Sequence, residues 1–320
     1  MRKYIFRRLL LYAPTLFLAS IAIFLIMRVL PGDVALVILG GGDNTTNLSM
    51  EQLEQVREQL GLKDPLYQQY AVWAWSMING DFGGDSIISK EPLAEIVGRR
   101  LPVTLQLTLY TAFIAWAIAI PAGLIAALYQ NRPADYLVRI ITVSGNALPN
   151  FWIALMLILG LLLYFNWTPP LFYENLWENP KDHLLKMIWP ALVLSWGYCA
   201  YLTRVTRSTM LEVFRQDYMR TARSKGMMER VVILRHGLPN TLIPVITMGG
   251  LQLASLLSGT VVIETVFSLP GIGQGVVQAA GERDYPVIQS LTMLLVAFAL
   301  TLNVIIDVIY AKVDPRISYA

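Results

Sequence analysis

Six stretches of this chain contain no Asp, Glu, Lys or Arg: Leu9–Met27, Leu101–Asn131, Ile140–Tyr173, Met187–Thr203, His236–Ile263 and Tyr285–Ile306. A helix needs about 20 mostly apolar residues to cross the hydrocarbon core of a bilayer. Each stretch holds one such helix and none is comfortably long enough for two. Composition points the same way: 55% of the 320 residues are hydrophobic and only 15% are charged, against about 25% charged in soluble domains. The expectation is an all-α membrane protein with six transmembrane helices and both termini on one side.

Charge fixes which side. With the N-terminus inside, sixteen Lys and Arg fall on inner segments and eight on outer ones, while acidic residues divide sixteen outside to six inside. Basic residues favour the cytoplasmic side, so both termini are expected there. Arg2, Lys3, Arg7 and Arg8 ahead of the first apolar stretch imitate a signal peptide. That stretch instead runs into Arg28-Val29-Leu30-Pro31-Gly32-Asp33 with no small-x-small cleavage site, so it reads as a retained span.

The layout expected is a tail and first span over 1–30, an external region over 31–100, a five-helix core over 101–311 and a tail over 312–320. The external region opens with a turn-rich stretch, Gly40–Asn47. Two short amphipathic helices should follow, Met50–Gly61 and Tyr67–Asn79, the second with Tyr70, Trp73, Ala74 and Met77 on one stripe. They read as a helical cap on the outer surface, with contact to an external partner as a second role. In the third span, Ser144–Phe151 is polar and holds Pro149; such a break needs protein or a water cavity around it. Asn150 is therefore a candidate for a translocation path. The fifth span is rich in small and hydroxyl residues. Met248, Gln252, Ser255 and Gly259 share one of its faces, which fits either close helix packing or the polar wall of a conduit. Glu264–Asp284 is too interrupted to span and reads as re-entrant or interfacial.

The most basic stretch, Asp217–Pro239, lies in the inner loop Arg207–Pro239. Tyr218, Thr221, Ala222 and Lys225 fall at helical spacing and Gly226 follows as a stop. A short rigid helix there suits docking to something in the cytosol. Mid-span charges, which cost about 2.5–3.5 kcal/mol on insertion scales, are avoided: Arg28, Glu264 and Asp307 lie near span ends. The sequence shows no nucleophile–base pair, metal-ligand cluster or phosphate-binding glycine loop, and the single Cys199 rules out an internal disulfide. Nothing points to nucleic acid. Pore-type material without its own energy source implies an energised partner. A stand-alone carrier or channel, or a non-transporting scaffold, are the readings from other classes.

The spacing of Arg220-Thr221-Ala222, Gly226, His236 and Leu238-Pro239 resembles the "EAA" segment of permease subunits in binding-protein-dependent ABC importers. Arg, Thr and His replace the general Glu, Ala and Ile. The strings Asp217–Gly226 and Leu234–Asn240 resemble the peptide/nickel branch, as do Leu30–Asp33, Gly80–Gly83, Leu101–Leu105, Leu148–Trp152, Thr206–Glu212, Glu264–Phe267, Leu269–Gly273, Arg283–Val287 and Asp314–Arg316. The resemblance implies a type I ABC importer permease fold in the cell inner membrane, forming half of a path for peptides. Nickel chelates, glutathione or oligosaccharides are the alternative cargoes. It implies a second homologous permease subunit, two cytosolic ATPase subunits that bind ATP and Mg, and an external solute-binding protein. This chain itself would be no enzyme and hold no cofactor. Residues 215–226 would be the coupling helix, with Ala222 and Gly226 permitting close approach and Tyr218 and Met227 giving apolar contact. Arg215, Asp217 and Thr221 would join the coupling to the ATPase, and Arg220, Arg223 and Lys225 would pair with acidic groups on the ATPase or with anionic membrane lipid.

Overall fold

The computed structural model describes residues 2–29, 54, 63–170 and 172–313. The expected Gly40–Asn47 turn, the Met50–Gly61 helix, and the motifs Leu30–Asp33 and Asp314–Arg316 lie outside the described residues. The helices are α1 (Arg2–Val29), α2 (Leu66–Asn79), α3 (Leu93–Leu128), α4 (Pro133–Ala147), α5 (Asn150–Phe165), α6 (Pro180–Phe214), α7 (Asp217–Ser224), α8 (Glu229–Val231), α9 (Leu238–Val266), α10 (Ile272–Glu282) and α11 (Tyr285–Val313). A π-helical turn, Val232–Gly237, joins α8 to α9. Among the described residues no β-strand forms; Asp85 and Pro92 make an isolated bridge.

Local chemistry explains the boundaries. Gly80 takes the left-handed conformation after α2 (φ 82°). Asn131, also left-handed, turns the chain into α4, and its N–H donates to the Asp135 carboxylate at 3.0 Å. Pro149 bars Leu148 from continuing that helix and then starts α5, so the chain bends by 106°. The polar break expected at Ser144–Phe151 is this bend. Asn179 caps α6 by accepting from the Asp182 N–H, with Pro180 in the first turn.

Among the described residues, four helical segments are long and apolar enough to cross a bilayer: Arg8–Val29, Leu93–Leu128, Glu229–Val266 and Tyr285–Ile309. The bent pair α4–α5 makes up to five. The remaining expected span, Met187–Thr203, lies inside α6 and falls short of that measure. Pro190, Ser195, Gly197, Tyr198 and Tyr201 dilute its apolar surface, and Lys186 and Arg204 bound it. Its surroundings account for this: Met187, Ala191, Leu194, Tyr198 and Leu202 are buried in protein, and a surface packed against protein need not match lipid.

Contacts divide the chain into two compact units. The first comprises described residues of Met1–Leu9, Leu105–Ser268 and Thr301–Ala320; the second, of Leu10–Thr104 and Leu269–Leu300. In the first, α6 packs on α9 and α4. Small residues permit the approach: a Cβ on Gly123 would lie 2.5 Å from Thr206 Cβ, and one on Gly249 would lie 2.6 Å from Leu202 Cδ2. Gly250 faces Ile306. The buried Tyr198 hydroxyl accepts from Trp116 Nε1 (2.9 Å) and donates to the Gly249 carbonyl (2.8 Å). Arg8 pairs with Asp307 at 3.2 Å. His183 is buried between the Tyr110 hydroxyl and the Glu174 carbonyl, and Lys186 Nζ donates to the Pro170 carbonyl.

In the second unit, Leu93, Ile96 and Val97 from α3 pack with Ile272 and Ala279 from α10 and with Val287, Ile288 and Leu291 from α11. The expected stripe of α2 does face inward. Tyr70 and Trp73 meet Phe24, and Ser20 and Tyr70 share a 2.8 Å hydrogen bond. Asp284 is buried and accepts from Ser86 Oγ at 2.5 Å. Glu264–Asp284, expected to be re-entrant or interfacial, splits into the last turn of α9 and the short helix α10.

Candidate functional site

The basic stretch forms a clasp on the ends of two long helices. Arg215 caps α6, Gln216 is extended, and α7 runs from Asp217 to Ser224. The expected helix over 215–226 is therefore shorter at both ends, because Arg215 and Lys225 serve as caps. Gly226 is left-handed (φ 73°). The chain then re-enters a helix at Glu229, nine residues before the Leu238-Pro239 at which the loop was expected to close. Pro239 has no N–H to give to the helix ladder. Immediately before it, the Leu238 N–H reaches back to the Ile233 carbonyl, a five-residue π-type bond.

Met219 (0% exposed) and Ala222 anchor α7 against Val213 at the end of α6 and Val232 of the π-turn. Burying a side chain of Met219's size contributes about 1.5–3 kcal/mol. A Cβ on Gly237 would lie 2.9 Å from Met210 Cε and 3.3 Å from Met219 Cε, so the absence of a side chain there lets the π-turn close on both methionines. Arg223 Nη2 donates to Glu229 Oε1 at 2.8 Å and Nε donates to Oε2 at 3.1 Å. The carboxylate holds the guanidinium above its ordinary pKa. The same guanidinium stacks 5.8 Å over Phe214. Nearby, the buried Asp135 takes both Arg207 donors at 2.7 Å, clipping α4 to α6.

The expected coupling residues divide between two faces. Arg215, Asp217, Tyr218, Arg220, Thr221, Lys225 and Gly226 are exposed. Ala222 is turned inward, and Met227 packs against the internal cluster; the apolar groups that point outward are Tyr218, at 41% exposure, and Met228, at 73%. A Cβ on Gly226 meets nothing within 4 Å, so a side chain there would face whatever docks. Asp217 and Arg220 approach to 3.6 Å but are 97% and 73% exposed, a pairing that adds little stability. Met219 and Glu229 escaped sequence reasoning. Met219 stands three residues before Ala222, a spacing that marks an inner face.

The candidate path residues also separate. Asn150 and Gly259 come together: a Cβ on Gly259 would lie 3.9 Å from Asn150 Nδ2 and 2.9 Å from Leu194 Cδ1. Met248, Gln252 and Ser255 lie on the exposed side of α9, while Gly249, Gly250 and Thr260 are buried. Small residues pack one face of this helix, and the other stays open. The Tyr198–Gly249 bond that ties α6 to α9 carried no sequence signal.

A chain whose described elements are helices, several of them apolar and of spanning length, with a small-residue packing seam, is an integral membrane protein. Residues 119–319 match the family described as "Binding-protein-dependent transport system inner membrane component", and residues 1–108 match its N-terminal companion. The chain belongs to this family: it is a multi-pass permease subunit of the inner membrane that works with other ABC components, and it is a transporter subunit, not an enzyme. Over full length it is 41% identical to the oligopeptide transport system permease protein AppB of Bacillus subtilis. It is 39% identical, again over 100% of both chains, to the glutathione transport system permease protein GsiC of Escherichia coli K12. A crystal structure of an amino acid ABC transporter with histidines shares the fold, with a TM-score of 0.50, 16% identity, and 68% of this chain and 93% of that one covered.

Proposed function

We propose that this chain is one of two related permease subunits of a type I ABC importer, together lining a path for di- or oligopeptides. Six spans place both termini in the cytoplasm, with α6 as the span that composition alone undercounts. Two cytosolic ATPase subunits supply the energy, and an external binding protein delivers the solute. Full-length likeness to an oligopeptide permease and to a glutathione permease, glutathione being itself a tripeptide, supports the peptide cargo.

The observation that carries the coupling role is the inner anchoring of α7. Met219 and Ala222 hold it to the ends of α6 and α9 through Val213 and the π-turn, while its polar face stays outside. Force applied to that face reaches two long helices through a packed joint and not through slack chain. Reconstituting the chain with its partner permease, ATPases and binding protein tests this. Gly226→Asp should abolish peptide uptake while the complex still assembles; uptake at the wild-type rate would remove α7 from the coupling role. Uptake of an oligosaccharide or a nickel chelate, without any peptide, would overturn the cargo and leave the coupling untouched.

A further inference from the structure

We propose that the first unit holds one acyl chain of an anionic phospholipid in the cavity between α3, α4, α5 and α6, with the lipid phosphate on Arg139 and Arg204. The cavity measures about 450 Å³, and its walls include Ile118, Ile141, Leu157, Trp189 and Trp196. Its three wall hydroxyls are already committed as donors: Thr142 to the Arg139 carbonyl, Ser195 to that of Leu192 and Thr203 to that of Cys199. The walls are otherwise almost wholly apolar, so a peptide or other polar solute would leave most of its amides unpaired there, at a cost of about 1–3 kcal/mol each. An alkyl chain needs no hydrogen-bond partner.

The cavity is also long. Its α6 wall runs from Trp189 to Thr203, about 21 Å at 1.5 Å per residue. That exceeds the half-thickness of a hydrocarbon core, about 15 Å. Charge marks one end. Arg204 lies one turn beyond the wall residue Ala200, and Arg139 one turn before the wall residue Thr142. Helical neighbours three or four apart share a face. Both arginines are exposed, and both stand at the end where Asp135 clips Arg207. Arg139 additionally lies over the Tyr136 ring at 5.7 Å. Basic side chains at a membrane surface attract anionic headgroups.

The test uses the full chain in phosphatidylcholine vesicles doped with phosphatidylglycerol carrying a mid-chain diazirine. After irradiation, adducts are mapped by mass spectrometry. Wild type should carry adducts on the cavity wall, within 193–203, and on the outward face of α3 at Leu109 and Phe113, which are 65% and 75% exposed. Ala122→Phe fills the cavity and should abolish the wall adducts while the Leu109 and Phe113 adducts remain. Arg139→Gln with Arg204→Gln leaves the cavity open and should cut wall labelling by roughly ten-fold or more, to the level given by a phosphatidylcholine probe. Adducts confined to the outward face in wild type would overturn the proposal. So would wall adducts indifferent to the arginines; that second result decides the matter even where Ala122→Phe fails to insert.

Discussion

The two short helices α7 and α10 are finished in opposite ways. At α10 the chain satisfies its own ends. The Ile272 N–H donates to Thr104 Oγ1 at 2.8 Å, and Arg100 holds the Gly271 carbonyl, Gln274 and Gln278. The left-handed Arg283 closes the last turn. At α7 no side chain caps the first turn, two residues are buried, and the polar face meets solvent. α10 also exposes Val277, Gln278 and Ala280, so the difference lies in the ends: its first turn is tied to Thr104 and Arg100 of α3, and that of α7 has no such tie. α7, anchored along a single face, has the other available to a partner.

Met219→Asp should break that comparison most severely. It puts a carboxylate among Val213, Ala222 and Val232, where an unpaired buried charge is costly by several kcal/mol. Amide exchange across 217–224 should become fast, and coupled uptake should vanish while the helices of the second unit keep their protection. Retained slow exchange would show that α7 is held by something other than this anchor. Thr104→Val comes next. It strands the buried Ile272 N–H at a cost of about 1–3 kcal/mol, so the thermal midpoint should fall without selective loss of ATPase coupling. Arg223→Gln should do least. The Arg223–Glu229 pair is 39% and 53% exposed, and exposed pairs contribute about 0–1 kcal/mol. Exchange in α7 should rise only slightly; a collapse like that of Met219→Asp would make the ion pair the true anchor.

Much of this was legible in the sequence, where the signal was local. Charge-free windows marked the long helices, Pro149 marked the bend and Gly226 marked the turn, because each acts through its own backbone or its own run of residues. The windows could not mark helix ends, since α6 stays helical through Lys181–Lys186 and Arg204–Glu212 at its charged margins. Nor could they report that α6 is enclosed by protein. Met227, expected to give apolar contact to a partner, packs against the Met219 cluster just after α7 for a similar reason. Which side of a short helix is buried depends on Val213 and Val232, contributed from outside it. The open face of α9 was legible as a stripe; its division from the Gly249–Gly250 packing face was set by Trp116, Leu202 and Ile306 on other helices.

The π-turn acts as a keyway between α8 and α9. Each residue advances a helix by about 100°, so the additional residue held between Ile233 and Leu238 sets the rotational phase of everything beyond it. Deleting one residue from 232–237 would preserve the composition of the span and swing Gly249 and Gly250 away from Trp116, Leu202 and Ile306. Bulky neighbours would then meet where only glycine fits. The register of the glycine seam that joins α9 to α6 is thus written in six residues at the foot of the helix.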